Sequence, residues 1–240
     1  MIEITKHEGI LTLRLAHGKA SALDLELIEA LALAFAEANA ADDVNAVILT
    51  GTGSIFSAGV DLFRMTNEGA AYVERFYPAL RDAFVELFRF PRPVIAAVNG
   101  HAIAGGCLMA CACDYRLMSG GKIGVPELLV GVPFPTIAID ILRFAAGTNA
   151  AQLAYSAVSL AAEDARAKGL IDEVVTQDQL MPRAMEVAQR FAAIPPESFR
   201  LTKLQLRELT RETDADAVRV WSDPQIHAHI RDYLARTIKR

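Results

Sequence analysis

Asn99–Leu117 reads NGHAIAGGCLMACACDYRL. It opens as a turn, passes Ala104, Gly105 and Gly106, and becomes an apolar run holding the chain's three cysteines, Cys107, Cys111 and Cys113. VIAAV just before it has the pattern of a buried strand, and DYRLMS at its end resembles another. Small residues leading from a strand into a helix leave free peptide N–H groups, and the positive end of the helix dipole, facing whatever lies beyond. An oxyanion is the natural guest. Close helix–strand contact is the competing explanation for bare backbone at the same place.

A second exit of this kind lies upstream. Ile48–Leu62, ILTGTGSIFSAGVDL, runs from a buried strand into Gly51 and Gly53 and then into Phe56, Ser57, Ala58, Gly59, Val60 and Asp61. Open α/β sheets bind ligands beyond the carboxyl ends of their strands, so N–H groups from two such exits can converge on one ligand atom. Farther out, ILTLRLA (Ile10–Ala16) alternates like a half-buried strand, HGK follows it as a turn, and a hairpin is expected to open the chain. Asp24–Ala40 has helical spacing, NAVILTG is a buried strand, and a helix over Ala70–Phe90 is halted by Pro91 and Pro93. GLIDEVV (Gly169–Val175) gives a short strand, after which the chain is almost wholly helical, with Pro195 and Pro196 dividing two amphipathic segments. Strands separated by helices require crossovers, which predicts an α/β fold whose parallel sheet is covered on both sides. Residues 1–194 are read as the core. Residues 195–240 are read as a helical region packing on it or on a neighbouring subunit.

The chain has 240 residues, 52% hydrophobic and 22% charged, enough for a packed core and against disorder. A net charge of -5 without a long basic run argues against nucleic acid as a partner. The N-terminal stretch lacks the features of a signal or transit peptide, and Gly, Pro or charge interrupts every apolar stretch before it could cross a bilayer, so a cytoplasmic protein without a membrane partner is expected. Three cysteines in one apolar segment fit core thiols in a reducing compartment. No nearby His or second Cys pair completes a zinc set, so no metal is expected. Phosphate loops of the G-x-x-x-x-G-K-[ST] or G-x-G-x-x-G type are missing, as is the G-x-S-x-G elbow, and the five histidines make no metal or triad spacing.

FSAGVDL (Phe56–Leu62), the glycine stretch and GVPELLVG (Gly124–Gly131), flanked by SALD (Ser21–Asp24) and EDARAKGLIDEVV (Glu163–Val175), together resemble the crotonase superfamily, the enoyl-CoA hydratase/isomerase family. The resemblance implies a spiral of β-β-α units with C-terminal helices, assembled as a homotrimer or a hexamer. It implies an acyl-CoA thioester as substrate and no cofactor beyond the CoA that the substrate carries. By the same resemblance, the N–H groups of Val60 and Gly105 hold the thioester oxygen, and Glu127 in the Pro-Glu motif moves the proton. Ala58, Gly59, Asp61, Leu62 and Gly106 flank them, and Leu108 and Phe134 line the acyl pocket, with Phe56 and Met65 as further candidates. Ala22 and Leu23 meet the nucleotide end through their backbone, and Lys19 and Arg64 are candidates for the phosphates. Val125, Leu128, Leu129 and Val130 are expected to dry the surroundings of Glu127 and raise its pKa. Without the resemblance, Glu127 would read as a water-facing acid in a first helical turn.

Leu108 stands where family hydratases resemble one another in having a second glutamate. One carboxylate suits a proton moved along the substrate, and GVPFPTIAIDIL (Gly131–Leu142) looks like the 3-enoyl-CoA to 2-enoyl-CoA isomerases. The alternatives are a hydratase or another single-acid reaction such as decarboxylation, and an acyl-CoA binder without turnover.

Overall fold

The computed structural model describes residues 1–209 and 215–237. Along the chain run β1 (Ile2–His7), β2 (Ile10–Leu15), α1 (Leu25–Ala40), β3 (Ala46–Thr50), β4 (Ile55–Ser57), α2 (Leu62–Glu68), α3 (Ala70–Arg89), β5 (Val94–Val98), β6 (His101–Ile103) and α4 (Gly105–Cys111). There follow β7 (Tyr115–Met118), β8 (Lys122–Gly124), α5 (Glu127–Val130), α6 (Thr136–Ala146), α7 (Ala150–Ser156), β9 (Ser159–Ala161), α8 (Ala162–Ala167), β10 (Glu173–Val174), α9 (Leu180–Ala192), α10 (Pro196–Leu206), α11 (Ala215–Trp221) and α12 (Pro224–Thr237).

The strands form two sheets, a six-stranded one in the order β1-β2-β3-β5-β7-β10 and a four-stranded one in the order β4-β6-β8-β9. From β2 onward the large sheet is parallel, while β1 and β9 each join antiparallel. β3, β5 and β7 are each followed at once by a strand of the small sheet and then by a helix. This is the β-β-α spiral that the motifs implied.

β2 is more buried than its alternation suggests, because both faces of the large sheet are covered. Ile10, Ile48, Ile95 and Leu117 pack under Leu180, Ala184 and Val187 of α9. Leu11, Leu13, Val47 and Leu49 face the main core with α1 and α3. The opening hairpin exists, and HGK lies in a turn after β2. β1 pairs with β2 through a turn at Glu8 and Gly9, with φ of 48° and 77°. Glu8 in the left-handed region carries no sequence signal of its own, and only Gly9 marks the turn. The strand read over Gly169–Val175 shrinks to Glu173–Val174, since Leu170 and Ile171 are buried as core residues ahead of it.

Asp24 caps α1, accepting from the N–H of Leu27. Beyond Ile194 the helices pack on the same chain. Asp114 accepts from Lys203 Nζ at 2.7 Å and from Arg207 Nη2 at 2.8 Å, and Arg207 Nη1 also donates to the carbonyls of Phe88 and Ala112. The Arg207 guanidinium lies 4.5 and 4.7 Å from the ring centres of Phe88 and Phe144. Trp221, Ile230 and Leu234 join the main apolar cluster. Of residues 195–240, positions 210–214 and 238–240 lie outside the described residues. No described helix is long and apolar enough to cross a membrane.

Candidate active site

The loop after β4 is braced by the segment before α1. Ser57 Oγ donates to the Ser21 carbonyl at 2.8 Å, the Ala58 N–H to Ala20 at 3.0 Å, the Leu23 N–H to Gly59 at 2.8 Å and the Asp61 N–H to Leu23 at 3.0 Å. Tyr72 Oη accepts from the Leu25 N–H and holds the same segment from α3. Because Leu23 bonds to the residues on either side of Val60, the Val60 N–H is turned away from it. That N–H and the one on Gly105 donate to no acceptor among the described residues.

The two amides are neighbours. A Cβ placed on Gly105 would lie 3.9 Å from the Val60 nitrogen. Ala104, just before Gly105, has φ 52° and ψ -122°, an unfavourable backbone for alanine, and is fixed by its N–H donating to the Gly124 carbonyl at 2.8 Å. Such strain costs about 1–3 kcal/mol and is found where the surroundings impose it. Here it presents the first amide of α4. The competing explanations for bare backbone therefore both hold. A Cβ on Gly106 would come within 2.3 Å of the Ser57 carbonyl oxygen, so Gly106 serves close packing, while Gly105 lines open space and a Cβ there would in addition press on Leu23 Cδ1 at 2.8 Å. Gly59, with φ 80°, is likewise a packing glycine, since its Cβ would approach the Ile103 carbonyl oxygen to 2.6 Å.

That open space is a cavity of about 370 Å³. Its wall includes Ala22, Ala58, Val60, Asp61, Leu62, Gly105, Leu108 and Glu127, so eight of the residues singled out in the sequence meet there. Glu127 is 6% exposed, and its Oε2 is buried without a hydrogen-bond partner among the described residues. Burial pushes its pKa up to about 8. Asp61, the other carboxylate on the wall, is committed to capping α2, accepting from the Arg64 N–H at 2.9 Å. Leu108 is buried and places an apolar side chain on the wall.

Four of the chosen residues stand behind the lining. Leu23 is fully buried, Gly59 and Gly106 are packed as described, and Phe134 is partly buried against the core while its neighbour Pro135 reaches the wall. Phe56 and Met65 are fully buried in the core and do not line the cavity. Val125 and Val130 do shield Glu127's segment, but Leu128 and Leu129 are 44% and 54% exposed, because the four-residue helix α5 has an outer side. Arg64 is engaged with Glu26 and with Glu68, whereas Lys19 is exposed with no partner among the described residues. Cys107, Cys111 and Cys113 are buried free thiols, with Cys113 pushed up to about 12 by its burial. Among the described residues no cluster of His, Cys, Asp or Glu could hold a metal ion.

Ala104 and Val130, also singled out in the sequence, join the wall, while most of the rest of it escaped sequence reasoning. Leu80 and Phe84 come from α3, Ile137 and Ala138 from α6, and Trp221, Tyr233, Leu234 and Thr237 from the two last helices. Trp221 is held by its Nε1, which donates to the Pro133 carbonyl at 2.9 Å, and by an edge contact with Tyr77. Helical spacing marks such residues as buried, and nothing in the spacing tells a cavity wall from a core.

Comparison with known proteins agrees with this geometry. Residues 5–232 match the family model described as enoyl-CoA hydratase/isomerase. The mitochondrial enoyl-CoA delta isomerase 1 of Rattus norvegicus is 31% identical over 217 residues, 88% of this chain and 75% of that protein. A putative enoyl-CoA hydratase of Thermus thermophilus is 33% identical over 185 residues, 75% of this chain and 73% of that protein. The crystal structure of human mitochondrial delta3-delta2-enoyl-CoA isomerase superposes with a TM-score of 0.93 at 26% identity, covering 98% of this chain and 97% of that one. With one spiral, two loops that pair their free amides and a match along nearly the whole length, this chain belongs to the enoyl-CoA hydratase/isomerase family.

Proposed function

We propose that this protein shifts the double bond of a 3-enoyl-CoA to give the 2-enoyl-CoA, with Glu127 as the one acid/base. The observation that carries this reading is that, among the described residues, one buried and unpartnered carboxylate stands on an apolar wall shared with the amides of Val60 and Gly105. The N–H groups of these two residues receive the thioester oxygen. Glu127 removes the proton from carbon 2, and the electron pair passes to that oxygen as an enolate conjugated with the remaining double bond. Charge developing on the oxygen strengthens both N–H bonds, each worth about 3 kcal/mol in the barrier. The carboxyl then returns its proton to carbon 4, the new double bond forms between carbons 2 and 3, and no atom is gained or lost. Glu127's raised pKa suits a group that must both take and return a proton near neutrality.

Hydration is the second reading, favoured by the hydratase name of the Thermus relative. It requires water to be held over carbon 3. Leu108 gives that water no acceptor, and Asp61 is occupied with its helix cap. The test is to follow conjugated 2-enoyl-CoA by ultraviolet absorbance after adding 3-enoyl-CoA to the wild type and to Glu127→Gln. Conversion by the wild type and its loss in the variant are expected. Hydration of 2-enoyl-CoA without any isomerisation would replace the isomerase by the hydratase.

A further inference from the structure

The cavity wall combines exposed residues, Phe63 and Thr237, with buried ones, Leu80, Phe84, Leu108, Ile137 and Trp221. Beside the buried part of the wall lies a second, much smaller void of about 10 Å³, between α1 and α3. Leu31 and Phe35 of α1, Leu87 of α3 and Met109 of α4 line it. Among the described residues, Phe84 is the one side chain that borders both spaces.

The order along the helices makes this arrangement directional. On α3, Leu80 faces only the cavity, Phe84 faces both spaces and Leu87 faces only the void, each about one helical turn after the last. On α4, Leu108 faces the cavity and Met109 the void. The void therefore continues the line of the cavity past the Phe84 ring. Its lining is wholly apolar, so it offers water no partner and suits a methyl or methylene group.

We propose that Phe84 is the floor of the acyl channel and sets the longest chain the protein accepts, with the void between α1 and α3 as a latent extension of that channel. This rests on an acyl-CoA substrate seated with its thioester at Val60 and Gly105. It goes further by assigning chain-length selection to one ring. Removing the ring joins the two spaces, and each further methylene then buried is worth about fourfold in kcat/KM or affinity.

The experiment measures kcat/KM for a series of 3-enoyl-CoAs from hexenoyl to hexadecenoyl, and the affinity of the matching saturated acyl-CoAs by calorimetry. The proteins are the wild type, Phe84→Leu, Phe84→Ala, Phe84→Trp and the double variant Phe84→Ala/Leu31→Phe. The chain-length limit is expected to lengthen in Phe84→Leu and further in Phe84→Ala, to shorten in Phe84→Trp, and to move back when Leu31→Phe refills the void. Phe84→Leu and Phe84→Trp keep the test alive if the alanine variant does not fold. An unchanged limit in these folded variants overturns the proposal even with isomerisation intact. A shifted affinity profile in a protein without isomerase activity upholds the channel floor and removes the reaction assigned above.

Discussion

Leu23 and Val60 form an isolated parallel bridge, in which Leu23 bonds to Gly59 and Asp61 and leaves the Val60 amide facing the cavity. The donor that polarises the substrate in our proposal is thus aimed by a segment that contributes little to the wall itself. Ser57 is the pivot of this brace, since its Oγ donates to Ser21 and accepts from the Gly59 N–H at 3.2 Å. Ser57→Ala should lower kcat by about tenfold with little change in KM, and should cost roughly 1–2 kcal/mol of stability. Steady-state kinetics beside denaturant unfolding separates the two effects.

The pH dependence follows from Glu127. Its pKa of about 8 in the folded protein lies above the ordinary 4.5, and only the carboxylate can accept a proton. kcat/KM should therefore rise about tenfold per pH unit below that pKa and level off above it. A profile that is flat across this range would count against Glu127 as the base.

The same shift has an opposite sign for stability. Between about pH 4.5 and 8 the folded chain keeps a proton that the unfolded chain has released, so stability falls as pH rises through this window. Glutamine does not titrate. Glu127→Gln should be the more stable protein at pH 7, by roughly 3 kcal/mol at most, with the difference vanishing below the unfolded pKa. Unfolding curves at the two ends of the window check this.

Leu108→Glu would place a second carboxylate on the wall beside Glu127. Two buried acids in one dry space cannot both ionise cheaply, so the variant should lose isomerase activity and about 1–3 kcal/mol of stability. It should also gain a measurable rate of hydration of 2-enoyl-CoA, because water then finds the acceptor that leucine denies it. Absorbance loss at the conjugated thioester reads that gain directly.

Asp114 is shared by two buried cations, Lys203 and Arg207. Asp114→Asn should destabilise by about 3–5 kcal/mol because it leaves both positive charges uncompensated, whereas Lys203→Met, which removes one of them, should cost much less. Chemical denaturation of the two variants side by side tests the order.

Much of this molecule could be read before its structure. The strand-to-loop exits, the helix over 70–89 and the break at Pro195 and Pro196 came from local spacing, which the chain obeys wherever one face is buried. The motifs placed Val60, Gly105 and Glu127 on one cavity although 67 residues separate the first from the last. What escaped was either strain or distance. Glu8 and Ala104 adopt left-handed φ values because of what surrounds them, and no propensity announces that. Phe84, Trp221 and Tyr233 reach the wall through tertiary packing between helices far apart in the chain. Leu128 and Leu129 failed as shields because a single helical turn cannot bury all its sides.

The wall supplied by Trp221, Tyr233 and Leu234 also dates the site within the life of a single molecule. Glu127, made after both Val60 and Gly105, leaves the ribosome about ninety residues before Trp221, which at ordinary elongation rates is on the order of ten seconds. For that interval the cavity lacks the part of its wall that α11 and α12 supply, so the enclosed space exists only after those helices have been made and packed.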